Sequence, residues 1–287
     1  MNHLTDAAYV RKLLESYGFN FSKALGQNFL INPSVCPKMA ELSGAGKGVG
    51  AIEIGPGVGV LTAELAERAE KVVAIELDSR LIPVLRRTLK DYDNIRLING
   101  DALETDLKEI VTNDFAGLEA VVCANLPYYI TSPVIMHLLE SKLPVNSITV
   151  MVQKEAGRRI CAVPGSREAG AVSLAVRYYS EPAILFDVSS GSFMPRPKVD
   201  SCVIRLDVRS SPPVDVKNEK LLFRIIRAAF NQRRKTLLNG LSAGLGQSKE
   251  RTAAALERAG IACSERGEKL TLEDFAHIAN VWSEMNL

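Results

Sequence analysis

Residues able to handle an exocyclic amine stand together at Asn125-Leu126-Pro127-Tyr128. The Asn125 amide offers one carbonyl acceptor and the Leu126 main chain a second, so a planar amine can donate one hydrogen to each. Tyr128 adds an aromatic face on which a purine can stack. Pro127 fixes its own φ and pushes Leu126 out of the helical region, which forces a turn here. A plain Asn-x-Pro turn followed by a buried tyrosine has the same four residues, and the tetrapeptide alone leaves both readings open. A second polar set comes earlier, with Gly55, Gly57 and Gly59 in one short loop, then Glu76, then Asp101. Glycines let backbone approach a ligand closely, Glu76 can accept from ribose hydroxyls, and Asp101 can accept from an adenine amino group. Gly-x-Gly-x-Gly differs from the Gly-x-Gly-x-x-Gly spacing that seats a pyrophosphate, which points to a nucleoside rather than a dinucleotide. Taken singly, Gly100-Asp101 is also a common turn.

The elements needed to bring these groups together follow from the apolar pattern. VGAIEIG, KVVAIELD, NIRLING, AVVCAN and SITVMV are short apolar runs, several without alternation, as expected of strands covered on both faces of a parallel sheet. Gly55, Glu76, Asp101 and Asn125 each follow or end one such run, and in open α/β sheets ligands bind at the carboxyl ends of the strands. The expected fold class is therefore α/β, an open parallel sheet carrying a nucleoside cofactor. Asp6 to Tyr17 has helical spacing, Asn20 to Asn32 reads as a connecting loop, and a helix is expected from near Pro33. QKEAGRRICA is helical and basic; Lys154, Arg158 and Arg159 on it suit either a solvated face or a phosphate contact. VSLAVRYYS fits helix or strand equally. AILFDVS and VDSCVIRLDV read as strands joined by SGSFMPRPKV, where Phe193 is taken as an exposed aromatic that either forms a second wall for a flipped base or packs under the Pro-rich loop.

The paired prolines at Ser210 to Val214 suggest a linker, dividing the chain into domains 1–210 and 211–287. The second reads all helical, with a capping box at Thr271 and Asp274. No Asp or Glu occurs between Lys220 and Lys249, whereas Arg224, Arg227, Arg233, Arg234 and Lys235 do. Such one-sign charge suits phosphate binding, or alternatively docking of the helices onto the first domain. With a net charge of +2, any nucleic-acid footprint must be a local patch. The 287 residues, 47% hydrophobic and 24% charged, are ordinary for a soluble protein, and the five scattered cysteines read as reduced. There is no apolar run long enough for a membrane span and no signal-peptide pattern at the start, so a cytoplasmic protein without membrane contact is expected. A monomer is expected, and no metal site is evident.

Taken together, Gln27-Asn28-Phe29-Leu30, Glu53 to Gly59, Glu76, Gly100-Asp101-Ala102, Asn125 to Tyr128, Phe193 to Ser201 and Phe230 to Lys235 resemble the small-subunit (16S) ribosomal RNA adenine-N6,N6 dimethyltransferases, whose bacterial type is the kasugamycin-sensitivity methyltransferase. The resemblance runs from Lys23 to the C-terminal helices. It implies a Rossmann-like methyltransferase sheet with a small helical domain and S-adenosylmethionine as methyl donor. Asn28 and Leu30 would then close over the cofactor, so Asn20 to Asn32 would be more than a loop. Gly55 and Gly57 would lie at the amino-acid end, Glu76 at the ribose, Asp101 at the adenine and Asn125 beside the methyl. Asn125, Leu126, Tyr128 and Phe193 would act on the target base, and Arg158, Arg159, Arg224, Arg227, Arg233, Arg234 and Lys235 would bind RNA. The implied substrate is two adjacent adenines near the 3′ end of the small-subunit RNA, in immature subunits. Large-subunit RNA methyltransferases of the antibiotic-resistance type share Asn125 to Tyr128, and a ribosome-assembly factor with secondary catalysis is a further reading. A nicotinamide dehydrogenase is disfavoured by the loop spacing, and none of the seven tyrosines is followed four residues later by lysine.

Overall fold

The apolar runs become strands in a computed structural model that describes residues 3–19, 27–232 and 234–285. In chain order the strands are β1 (Phe29–Leu30), β2 (Val49–Ile54), β3 (Lys71–Glu76), β4 (Ile95–Asn99), β5 (Glu119–Asn125), β6 (Ser147–Gln153), β7 (Ser180–Val188), β8 (Phe193–Met194) and β9 (Ser201–Val208). The helices of the first part are α1 (Ala7–Ser16), α2 (Val35–Leu42), α3 (Val60–Ala66), α4 (Ile82–Thr88), α5 (Leu107–Glu109), α6 (Thr131–Glu140) and α7 (Lys154–Ile160). Those that follow are α8 (Ala171–Tyr179), α9 (Glu219–Asn231), α10 (Leu237–Leu245), α11 (Lys249–Arg258) and α12 (Leu272–Glu284). Among the described residues no helix is long and apolar enough to cross a membrane.

The chain forms two compact units, Met1–Gly157 with Glu181–Val208, and Arg158–Ser180 with Arg209–Leu287. In the first, seven strands lie in the order β4-β3-β2-β5-β6-β9-β7. β4, β3, β2, β5 and β6 run parallel, and β9 is antiparallel to β6. Strand order reverses at β2: the chain moves outward through β3 and β4 on one side, then returns through β5 and β6 on the other. That reversal opens a crevice at the carboxyl ends of β2 and β5. All of β2 is buried, and so are Ala120 to Ala124, because helices cover both faces and leave no side for polar alternation. Gly50 interrupts β2 for a packing reason, since a Cβ there would lie 2.3 Å from the Phe115 ring.

β1 and β8 form a separate two-stranded ladder with Phe29 opposite Met194 and Leu30 opposite Phe193. Phe193 is therefore buried, at 3% exposure, where the sequence suggested an exposed aromatic. Strand pairing across the chain supplies the cover that its Gly, Ser and Pro neighbours cannot. Of the segment Asn20 to Asn32, residues 20–26 lie outside the described residues. Residues 27–32 supply β1, so at least this stretch is a paired strand rather than a plain connection.

The second unit is helical. Thr271 and Asp274 form the expected capping box, the Thr271 N–H donating to Asp274 Oδ2 at 2.8 Å and the Asp274 N–H to Thr271 Oγ1 at 3.2 Å. α9 and α10 cross closely, because a Cβ at Gly244 would lie 2.5 Å from Ala228 Cβ. The ambiguous VSLAVRYYS is helix α8, and Arg158–Ser180 belongs with this unit, whereas a division at 210 places it with the first. The reason is aromatic packing. Tyr178 and Tyr179 meet Phe223 at ring separations of 5.2 and 5.5 Å, and Tyr179 Oη donates to Glu219 at 2.8 Å. Among the described residues no cysteine is in a disulfide, and Cys36, Cys123 and Cys202 are buried.

Candidate active site

The parallel register aligns the strand ends. Ile54 pairs with both Ile75 and Ala124, and Glu76 pairs with Asn99, so Gly55, Glu76, Asp101 and Asn125 arrive at one edge. A single cleft there is lined by all four, together with Asn28, Leu30, Gly57, Leu126, Tyr128 and Phe193. Every cofactor and target-base residue inferred from the sequence thus lines one cavity of the first unit.

The glycine loop follows β2 directly. Gly55, Gly57 and Gly59 have φ of +72°, +62° and +92°, a left-handed run that side chains resist. Gly57 is constrained twice, since a Cβ there would also lie 3.1 Å from the Phe29 ring. Its N–H donates to Glu76 Oε2 at 3.2 Å, and the Asp78 N–H donates to Glu76 Oε1 at 2.8 Å. Burial pushes the Glu76 carboxyl up from its ordinary range, and these two amides pull it partly back. Just beyond, Asp78 is held low, chiefly by Arg80, whose Nη2 is 2.6 Å from Oδ2. The same Oδ2 accepts from Gln27 Nε2 at 2.8 Å, which ties the start of β1 to the end of β3. Asp101 does form the turn that its sequence allowed, Oδ1 accepting from the Leu103 N–H at 2.9 Å. Its Oδ2 has no hydrogen bond among the described residues.

Asn125 ends β5, opposite Met151. Among the described residues no hydrogen bond engages the Asn125 side-chain amide or the Leu126 carbonyl. The turn is instead closed by the next residue, the Ile130 N–H donating to the Pro127 carbonyl at 3.1 Å at the start of α6. Two acceptors are therefore held at the cleft with no donor among the described residues. Tyr128 is half-buried, and its hydroxyl lies 2.8 Å from Ser201 Oγ.

Sequence reasoning missed several participants. Leu77 and Tyr129 line the cleft at 50% and 55% exposure, apolar surface that a stacked base would cover. Leu77 directly follows Glu76 and Tyr129 directly follows Tyr128, and an apolar or aromatic residue next to a candidate site residue was the available signal. Gln27, Asp78 and Ser201 act through side-chain bonds across the chain, for which no local signal exists.

The basic residues are also placed. Arg158 and Arg159 are exposed in the last turn of α7. Lys220, Arg224 and Arg227 share the exposed face of α9, and Arg234 and Lys235 are exposed just beyond it. Arg233 lies outside the described residues. No ion pair among the described residues engages Arg224, Arg227, Arg234 or Lys235.

Comparison with known proteins identifies the family. The family model for ribosomal RNA adenine dimethylase matches residues 18–284. The chain is 47% identical over 274 residues to the ribosomal RNA small subunit methyltransferase A of Geobacillus thermodenitrificans, covering 94% of each. It is 48% identical over 287 residues to that of Lachnoclostridium phytofermentans, covering 99% of each. Among solved structures, a dimethyladenosine transferase from Plasmodium falciparum aligns with a TM-score of 0.74 at 25% identity, over 90% of this chain and 98% of that one. The 23S rRNA methyltransferase ErmE aligns at 0.67 and 26% identity, over 89% and 100%. With the family model matching residues 18–284 and relatives 47 and 48% identical over nearly the whole chain, the chain belongs to the ribosomal RNA adenine dimethylase family.

Proposed function

We propose that this protein transfers methyl groups from S-adenosylmethionine to N6 of two adjacent adenines near the 3′ end of small-subunit ribosomal RNA, giving N6,N6-dimethyladenine during subunit assembly. The observation that carries the reading is the pair of acceptors that meet no donor among the described residues, the Asn125 amide and the Leu126 carbonyl, in the same cleft as the glycine loop and the strand-end acids. The cleft fits the cofactor. Each Glu76 oxygen accepts one backbone amide and keeps capacity for ribose hydroxyls, Asp101 Oδ2 suits an adenine amino group, and Gly55 and Gly57 leave room at the amino-acid end. Asn28 and Leu30 flank the same space. S-adenosylmethionine, when bound, supplies an electrophilic methyl carried on a sulfonium.

The residues of the chain do the rest by positioning. An adenine N6 lone pair is delocalised into the ring, and accepting both its hydrogens at Asn125 and Leu126 localises and aims it. Tyr128 and Phe193 provide aromatic faces for an extruded base. The amine turns cationic as the methyl arrives and then releases its proton to solvent, so no general base need precede transfer. Recognition of the RNA falls to phosphate contacts by Arg158, Arg159, Arg224, Arg227, Arg234 and Lys235, with Arg233 in the same basic run. The small-subunit assignment is supported by relatives of that name at 47 and 48% identity, against 26% for the large-subunit enzyme.

The test is transfer of labelled methyl from S-adenosylmethionine to immature small subunits, with the modified nucleosides located by mass spectrometry. Dimethyladenosine at two adjacent positions is expected, and Asn125→Ala should lose transfer while holding subunits within a few-fold of the parent affinity. Methylation of large-subunit RNA instead, or an active Asn125→Ala variant, would overturn the assignment.

A further inference from the structure

Both aromatic walls of the cleft are fastened from behind by two consecutive residues that do not line it. Ser201 is fully buried, and its Oγ lies 2.8 Å from the Tyr128 hydroxyl. Asp200 Oδ1 accepts from the Ser190 N–H at 2.8 Å, and Arg196 Nε donates to Ser190 Oγ at 3.2 Å. Ser190 opens the short turn Ser190–Ser192 that delivers Phe193 to the cleft. The Ser192 carbonyl accepts from the Ile31 N–H at 2.8 Å, which closes the turn against β1. Asp200 and Ser201 are themselves anchored to the sheet: the Asp200 carbonyl accepts from the Lys154 N–H at 3.0 Å, and Ser201 pairs with Gln153.

We propose that Asp200-Ser201 is a clamp that sets where the Tyr128 and Phe193 rings stand, and that Ser201 is a positioning residue whose main effect falls on the second of two methyl transfers to one amine. The inference rests on the activity stated under Proposed function. The Tyr128 hydroxyl lies on the long axis of its side chain, so a bond there leaves the ring free to spin yet fixes the place of its far end. Without it, only the backbone turn and packing hold the ring.

The two transfers depend on the walls unequally. An unmethylated adenine donates two N6 hydrogens, one for the Asn125 amide and one for the Leu126 carbonyl. N6-methyladenine has one hydrogen left, so one acceptor goes unused, and the bulkier amine is held more by stacking and less by hydrogen bonds. Loosening a wall therefore penalises the second transfer more. A general loss of folding would slow both alike.

The test compares Ser201→Ala, Tyr128→Phe, their double variant and Asp200→Ala with the parent in single-turnover methylation of immature subunits. Mass spectrometry resolves mono- from dimethyladenosine, and calorimetry follows S-adenosylmethionine affinity. Ser201→Ala should slow the first transfer about 5-fold, the effect of one hydrogen bond, and slow the second further, so that monomethyladenosine accumulates at unchanged cofactor affinity. Tyr128→Phe should match it, and the double variant should be no worse than either single one. Asp200→Ala should also accumulate the monomethyl product. In parallel, the 13Cζ tyrosine resonance that disappears in Tyr128→Phe should shift in Ser201→Ala. Multiplicative losses in the double variant, an unchanged ratio of mono- to dimethyl product, or an unmoved resonance would each overturn the clamp. Absence of methyl transfer by the parent would overturn the activity, and with it the positioning role, while the resonance would still show whether the Tyr128–Ser201 bond exists.

Discussion

Glu53→Gln should stabilise the first unit, and increasingly so as pH rises. Glu53 sits within β2 at 1% exposure, and both its Oε2 and the Thr62 hydroxyl are buried without a hydrogen-bond partner among the described residues. Burial pushes the carboxyl up to about 8; Thr62, near but outside hydrogen-bonding geometry, opposes this, and the Glu76 carboxylate adds to it. The sign follows from linkage. Because the folded value lies above the unfolded one of 4.5, the folded state holds the proton more tightly, and the contribution to stability is whole below pH 4.5 and lost as pH rises through about 8. Moving a carboxyl between those values corresponds to about 4 to 5 kcal/mol at ~1.4 kcal/mol per pH unit, an upper bound because water and local relaxation soften a buried charge. About 2 kcal/mol is expected. Glutamine keeps the shape and cannot ionise, so the stability gap between variant and parent should widen by that amount above about pH 4.5 and have levelled off by pH 8. The single tryptophan, Trp282, lies in the helical unit, so its fluorescence would follow the wrong part of the chain. Hydrogen exchange of the β2 and β3 amides against urea at each pH reports the right one, and taking the difference from the parent cancels the carboxylates that do not interact with Glu53. A gap that stays constant with pH would refute the argument that Glu53 is neutral in the folded protein.

Two further outcomes are expected. Glu76→Ala should bind S-adenosylmethionine about 10- to 100-fold more weakly, the effect of losing charge-assisted bonds worth on the order of 1.5 to 3 kcal/mol, and calorimetry that finds parent affinity would remove Glu76 from the ribose site. Replacing Arg224, Arg227, Arg234 and Lys235 by glutamate should weaken subunit binding and flatten its salt dependence by about one unit of slope for every phosphate that is no longer neutralised. Cofactor affinity should hold in that variant, and an unchanged salt slope would place the RNA elsewhere.

What the sequence made legible was chemistry delivered by one strand end at a time. Gly55, Glu76, Asp101 and Asn125 could be read because each closes an apolar run, and a parallel sheet brings the ends of such runs to one edge whatever the rest of the fold does. Likewise the helices of the second unit announced themselves by spacing and by the Thr271 cap. Where a conformation depended on a distant partner, the local pattern was silent or misleading. Phe193 sits among Gly, Ser and Pro and looks exposed, yet Leu30 covers it from across the chain. VSLAVRYYS has apolar residues at spacings common to helix and strand, and its place with the helical unit depends on Phe223 meeting Tyr178 and Tyr179.

Ser201 shows a different limit, one of direction rather than distance alone. It lies 73 positions from Tyr128, so their contact has no local signature. Reading only the residues that end strands also excluded it, because Ser201 begins β9. That strand runs antiparallel to β6, with Ser201 opposite Gln153, the last residue of β6. The beginning of an antiparallel strand thus lies on the same edge as the ends of the parallel ones. Once β9 is known to be antiparallel, the residues at its start belong among the candidates beside Glu76 and Asn125. Sequence spacing cannot supply that orientation, since a strand of eight apolar and polar residues reads alike in both directions. The edge that gathers the chemistry is therefore built from five strand ends and one strand beginning, and the beginning carries the residues that hold the aromatic walls in place.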